Sequence, residues 1–261
     1  MRNIKLLIEY EGTNYAGWQI QPDLPTIQGI IQNRLKIILR EDVKLVAASR
    51  TDAGVHALGQ VANFKTIADK PPISIQRSLN ALLPEDIVIK GVEEVDLEFD
   101  ARRDARSKTY QYLILNRPYP SALYRNLSWF IPNPLNIEVM QEGAQYLVGE
   151  RDFSSFRSAD CSAINPVREI LAVSARTTLP PLPFPQGVRE GGFIEIEVKG
   201  TAFLMHMVRI MVGTLVSLGK GRITVEGFKA IIEARDRTKA GMTAPPRGLF
   251  LKEVEYERKT S

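Results

Sequence analysis

The string Arg50-Thr51-Asp52-Ala53-Gly54-Val55-His56 is the most unusual polar stretch of the chain. It reads as a turn between two short strands, with one carboxylate followed by a small residue and a glycine. Asp52 is the first candidate for chemistry, although such a string taken alone is more often a plain turn than a catalytic site. A lone carboxylate attacks carbon only if its surroundings keep it ionised and oriented. A residue far along the chain bears on that requirement. The segment 202–218 has helical spacing, with Phe203, Met207, Ile210, Met211, Thr214 and Leu218 on one face. Met205, Val208, Val212 and Val216 make the opposite face apolar too, and Arg209 falls among them. A helix apolar all round is buried all round, so Arg209 is expected to be a buried or half-buried guanidinium that needs an anion. That helix holds no acid, and Asp52 is one candidate partner. A purely stabilising ion pair, or an Arg209 side chain that snorkels to the surface, fits the same pattern.

The elements that must position these residues are legible from periodicity. Ile4, Leu6, Ile8 and Tyr10 alternate as a strand with one buried face. After Pro25, Thr26 is placed to cap a helix whose apolar positions are Ile27, Ile30, Ile31, Leu35 and Ile38. Strands at 43–48 and 58–65 flank the Asp52 turn, a helix at 73–83 lies between Pro71-Pro72 and Pro84, and a strand at 87–92 follows. A similar cycle starts at Lys108, with Tyr110, Tyr112 and Ile114 alternating as a strand and a helix at 137–148. Paired strands at 165–177 and 192–199 are separated by a proline-rich stretch, 178–191, expected as a surface loop. The 202–218 helix, whose end is marked by Gly219 and Gly221, a helix at 224–234 and a closing strand at 249–256 complete the chain. Runs of strands with helices to one side predict an α+β fold with antiparallel or mixed sheets. Two such units are expected, 1–104 and 105–261.

Composition excludes several classes. The chain has 261 residues, 44% hydrophobic and 25% charged, which argues against a disordered, collagenous or coiled-coil protein. Its one cysteine, Cys161, forbids an internal disulfide, and with only His56 and His206 beside it no soft-ligand metal site is expected. No apolar run reaches about 18 residues, so a soluble, cytoplasmic protein without a membrane segment is expected. The formal charge of +4 names no partner, but its layout is uneven. Glu85, Asp86, Glu93, Glu94, Asp96, Glu98 and Asp100 precede a basic stretch of Arg102, Arg103, Arg106, Lys108, Arg117 and Arg125, interleaved with Tyr110, Tyr112, Tyr119 and Tyr124. Cations for phosphates and aromatics for unstacked bases suit a polynucleotide surface; a solvated basic turn is the alternative. His56 is expected to complete its turn by hydrogen bonding, His206 to be structural or RNA-facing, and Trp18 and Trp129 to lie in the core.

Taken in order, Tyr10-Glu11-Gly12-Thr13-Asn14-Tyr15-Ala16-Gly17-Trp18-Gln19, the string from Arg50 to Ala57 with Gly59-Gln60-Val61-Ala62, and Lys108-Thr109-Tyr110-Gln111-Tyr112 resemble the TruA family of tRNA pseudouridine synthases. The resemblance continues through Gly149-Glu150-Arg151-Asp152-Phe153, His206-Met207-Val208-Arg209 with Val212-Gly213, and Thr243-Ala244-Pro245-Pro246-Arg247-Gly248-Leu249. Arg151, where the family usually has His, and Pro246-Arg247 depart from its pattern. The resemblance implies an isomerase that detaches uracil from C1′ of its ribose, turns the base and rejoins it through C5, at tRNA positions 38, 39 and 40, without cofactor or metal. It places the nucleophile at Asp52, its arginine partner at Arg209, the uracil-stacking tyrosine at Tyr110, an apolar base contact at Leu249, and at Arg50 the arginine that fills the space left by the extruded nucleotide. It further implies two ferredoxin-like units whose sheets meet in a central basic cleft holding the active site, and a homodimer in which one tRNA touches both protomers.

Physical reasoning is consistent with these roles. A guanidinium beside a carboxylate keeps it charged at neutral pH. A stem uridine must be flipped to be reached, and an aromatic face with an aliphatic wall holds a detached base while leaving it free to turn. The Tyr110 hydroxyl is a candidate base for the C5 proton. The residues fit attack at C1′, addition at C6 or a glycal route alike. Two rival readings are a catalytically silent tRNA-binding or tRNA-folding protein on the same scaffold and an aspartate-based hydrolase. Asp52, Tyr110 and Arg209 together weigh against the first, and the lack of a second carboxylate or of metal ligands against the second.

Overall fold

The computed structural model describes residues 1–179 and 192–257, so most of the proline-rich stretch expected as a surface loop lies outside the described residues. The chain forms two compact units, Met1–Lys108 with Phe250–Ser261, and Thr109–Leu249. The last strand thus returns to the first unit from the far end of the sequence.

In the first unit the order is β1 (Arg2–Tyr10), α1 (Ile27–Leu39), β2 (Val46–Ala47), β3 (His56–Thr66), α2 (Pro72–Leu82) and β4 (Ile87–Val95). Strand β1 lies between β3 and β4 and is antiparallel to both, while β2 pairs antiparallel with β3. The alternation expected in β1 is present: Ile4, Leu6 and Ile8 are fully buried, and Leu7 between them is exposed. Helix α1 turns Ile27, Ile31 and Leu35 inward, and α2 contributes Ile75 and Leu79. The side chain of Thr26 accepts the Gly29 N–H at 3.3 Å and so caps α1. Replacing Thr26 with alanine leaves that donor unpaired and is expected to lower stability by about 1 kcal/mol. A urea midpoint shift with an unchanged slope is the reading that checks it.

The second unit continues with β5 (Ala105–Asn116), which starts in the first, then β6 (Trp129–Ile131), α3 (Ile137–Gln145), β7 (Gly149–Asp152), β8 (Val167–Thr178), β9 (Phe193–Gly200), α4 (Met207–Gly219) and α5 (Val225–Ala234). Its strands run in the order β5-β9-β8-β7, with β6 parallel to β5 and the β7–β8 and β8–β9 pairs antiparallel. The closing strand β10 (Leu249–Tyr256) aligns parallel to β3 at Phe250 opposite His56. The molecule is therefore α+β with mostly antiparallel pairing. The short strands β6 and β7 had no counterpart in the periodicity, since three or four residues carry too little alternation to register.

Helix α4 is buried all round as expected, with Met207, Val208, Ile210, Met211, Val212, Leu215, Val216 and Leu218 inside and only Arg209 and Ser217 partly exposed. Its start requires a correction. The helical spacing of 202–206 is coincidental: His206 takes a left-handed backbone (φ +60°) and the helix begins after it. Phe203 and Met205 thus belong to a preceding non-helical segment, and Met205 is exposed. At the other end Gly221, at φ +67°, donates its N–H to Leu218 and stops the helix.

Candidate functional site in two halves

The Asp52 turn is built against the segment that follows β1. The Trp18 N–H bonds the Thr51 carbonyl at 3.0 Å, the Gly54 N–H bonds the Tyr15 carbonyl at 3.3 Å, and the Tyr10 and Thr51 hydroxyls meet at 2.7 Å. The turn closes on itself through the Val55 N–H, which reaches the Asp52 carbonyl at 3.1 Å. Two backbones approach so closely here that side chains are excluded. A Cβ on Gly12 would lie 2.0 Å from the Val55 carbonyl oxygen, and one on Gly17, at φ +93°, would lie 2.7 Å from that of Thr51. These two glycines give the Glu11-to-Trp18 string its structural meaning: it is the seat of the aspartate turn.

The other side of the seat is equally fixed. Gln60, fully buried on β3, donates its amide to the Ser49 carbonyl at 2.7 Å and accepts the Ser49 N–H at 3.3 Å, so the strand clamps the residue before Arg50. His56 performs the bonding expected of it: its Nδ1 accepts the Gly12 N–H at 2.9 Å while its ring stacks on Phe250 at 4.7 Å. Tyr15 donates its hydroxyl to Asp86, and burial followed by that bond pushes its pKa upward, which keeps the phenol protonated. Within this frame Asp52 is half-buried, and Arg50 is exposed with its Nη1 donating to the Gln19 side chain at 3.1 Å.

The second unit holds Tyr110, Arg209 and Leu249. Arg209 is half-buried, and its Nε donates to the Ala244 carbonyl at 2.8 Å while its own carbonyl accepts the Ala244 N–H at 3.0 Å. Helix α4 can lie this close to the irregular segment 240–244 because of Gly213, where a Cβ would fall 1.8 Å from the Met242 carbonyl oxygen. The next residue, Pro245, accepts a hydrogen bond from the Tyr112 hydroxyl at 2.8 Å. Burial raises the Tyr112 pKa, against the pull of Arg209 and Arg247, so this hydroxyl remains a donor. Tyr112 and the Ala244-Pro245 backbone are thus parts of the site that residue types alone did not single out. The signal available was the Thr-Ala-Pro-Pro-Arg-Gly-Leu string itself, whose Ala244 carbonyl accepts from the Arg209 side chain a few residues ahead of Leu249.

Tyr110 is almost entirely buried, and its ring meets that of Phe203 in a T-shaped pair with centroids 5.1 Å apart. Tyr112 and Tyr124 are buried as well, and Tyr124 packs on Phe193 in a cluster with Leu115. The tyrosines of the basic stretch are therefore not a row of surface stacking platforms. Three of them are buried, Tyr110 and Tyr112 on β5 and Tyr124 beyond its end, and Tyr119 is half exposed with the Arg117 guanidinium over its ring at 4.5 Å. Some of the cations there are also spent on neighbours: Arg103 pairs with Asp104 at 2.9 Å, and Arg106 pairs with Glu257. Trp18 and Trp129 are buried as expected.

The first unit thus holds an aspartate turn braced by two glycines, and the second an arginine held by a backbone carbonyl on an apolar helix and two buried tyrosines on one strand. A family described as tRNA pseudouridine synthase matches residues 6–104 and 144–257, and the chain belongs to that family. The tRNA pseudouridine synthase A of Acetivibrio thermocellus is 47% identical over 256 residues, covering 98% of this chain and 100% of that protein. Those of Thermoanaerobacter sp. and Geotalea daltonii are 43% and 45% identical over the same coverage.

Proposed function

We propose that the chain converts uridines at positions 38, 39 and 40 of the tRNA anticodon stem-loop to pseudouridine. What supports this reading most is identity over nearly the full length to relatives called tRNA pseudouridine synthase A, with the string around Asp52 intact. In this reading Asp52 is the nucleophile that assists the break between uracil N1 and C1′. The base turns, C5 bonds to C1′, N1 gains a proton and C5 loses one. Arg209 keeps the Asp52 carboxylate charged, Tyr110 and Leu249 hold the detached base between an aromatic face and an aliphatic wall, and Arg50 fills the space that the flipped nucleotide leaves. The enzyme acts in the cytoplasm as a homodimer on tRNA and uses neither metal nor cofactor. Each unit is read as ferredoxin-like. For the first, the strand order β4-β1-β3-β2, with neighbours antiparallel, is the split βαβ arrangement that supports this.

The position claim is tested with an unmodified tRNA transcript carrying uridine at 38, 39 and 40 and with one carrying cytidine there. Pseudouridine is expected in the first only; equal conversion elsewhere in both would refute the assignment. Tyrosine 110 gives a separate check. Tyr110→Leu removes a stacking face worth about 1–3 kcal/mol, so kcat/KM is expected to fall roughly 10- to 100-fold. Tyr110→Phe keeps the face, and a comparable loss there would transfer the role to the hydroxyl as a base.

A further inference from the structure

Strand β5 sets Arg106, Lys108, Tyr110 and Tyr112 on one face at alternate positions, and their burial deepens in that order: exposed, half-buried, then buried twice. Arg106 has its acid in Glu257. Lys108 does not: among the described residues its ammonium makes no hydrogen bond and no ion pair, and the charge nearest enough to act on it is another cation, Arg102. Burial and that cation both push its pKa below the ordinary lysine range. A half-buried cation with a like charge beside it costs stability, and such a group persists where an anion arrives to complete it. Two residues of extended strand separate it from Tyr110 by about 7 Å, a reach comparable to that from a stacked base to its own phosphate.

We propose that Lys108 binds a backbone phosphate of the substrate RNA at the nucleotide whose base rests on Tyr110. The proposal rests on the reading of Tyr110 given above. Lys108 contacts a substrate group that does not react, so its contribution lies in binding and placing the nucleotide.

The test compares wild type, Lys108→Gln and Lys108→Arg with unmodified tRNA over a series of salt concentrations. Lys108→Gln is expected to raise KM and the dissociation constant about tenfold at low salt, with kcat within twofold, and to make the slope of log affinity against log salt shallower by about 0.7–0.9, one phosphate contact. Lys108→Arg is expected to restore both, and the melting temperature of Lys108→Gln to equal or exceed that of wild type. Unchanged affinity and slope in Lys108→Gln would overturn the proposal, as would a lowered melting temperature with an unchanged slope, which marks a structural lysine. A wild type that binds tRNA yet makes no pseudouridine would instead overturn the functional reading while leaving the phosphate contact measurable.

Discussion

Asp52→Asn is expected to lower single-turnover conversion by on the order of 10⁴-fold or more, with tRNA affinity within about threefold of wild type. The substitution keeps the shape of the side chain and removes only its charge and nucleophilicity. Backbone bonds close the turn: Val55 N–H to the Asp52 carbonyl, Gly54 N–H to Tyr15, and Trp18 N–H to Thr51. Asparagine is itself a favourable turn residue, so the melting temperature is expected to move by little. Binding and chemistry then separate cleanly. Weakened tRNA binding together with a large loss of stability would make Asp52 a structural residue and move the search for the nucleophile elsewhere.

Gly12→Ala is expected to cost about 10²-fold in kcat and 1–3 kcal/mol in stability, although Gly12 touches no substrate in this account. The added methyl would stand 2.0 Å from the Val55 carbonyl oxygen and 2.7 Å from its carbon, both main-chain atoms that no rotamer change relieves. Either the 11–14 segment or the Asp52 turn must shift by an ångström or more. The shift also strains the bond from the Gly12 N–H to His56 Nδ1, and with it the stack of His56 on Phe250 that joins β3 to β10. Full activity and wild-type stability in Gly12→Ala would show that the turn tolerates the displacement and that its position is not what the glycine protects. Circular dichroism distinguishes a moved turn, which leaves the spectrum intact, from global unfolding.

What the chain revealed before its structure follows from how local each signal is. Thr26 capping α1, the alternation of Ile4, Leu6 and Ile8, and the closing strand at 249–256 depend on neighbours in sequence and were readable as such. The apolar helix around Arg209 was readable too, because burial on every face leaves a compositional mark. Its first turn was not, since Phe203 and Met205 mimic helical spacing while the left-handed backbone of His206 sets the true start. Tyr112 and Tyr124 looked like surface aromatics among cations and proved to be core: Tyr112 lies on the part of β5 that runs inward past the exposed Arg106, and Tyr124 packs on Phe193 beyond the end of that strand.

The candidate site divides in the same way. The residue types at Asp52, Arg209 and Tyr110 were legible, and the string resemblance supplied their roles. Their supports were not. That Gly12 is required by the Val55 carbonyl, that Gln60 clamps Ser49 and that Ala244 holds Arg209 by two bonds are contacts between residues that are not neighbours in sequence. The pairing of Phe250 with His56 joins residues nearly two hundred positions apart, and chain order alone puts the closing strand with the second unit.

The central claim is that this chain breaks and remakes the bond between uracil and ribose through Asp52, and release of tritium from tRNA transcribed with 5-tritiated uridine measures it most directly. Wild type is expected to release one tritium for each uridine converted, because C5 gives up its hydrogen when it takes the place of N1, and Asp52→Asn is expected to release none above background. No release by wild type, or equal release by both proteins, would contradict the account.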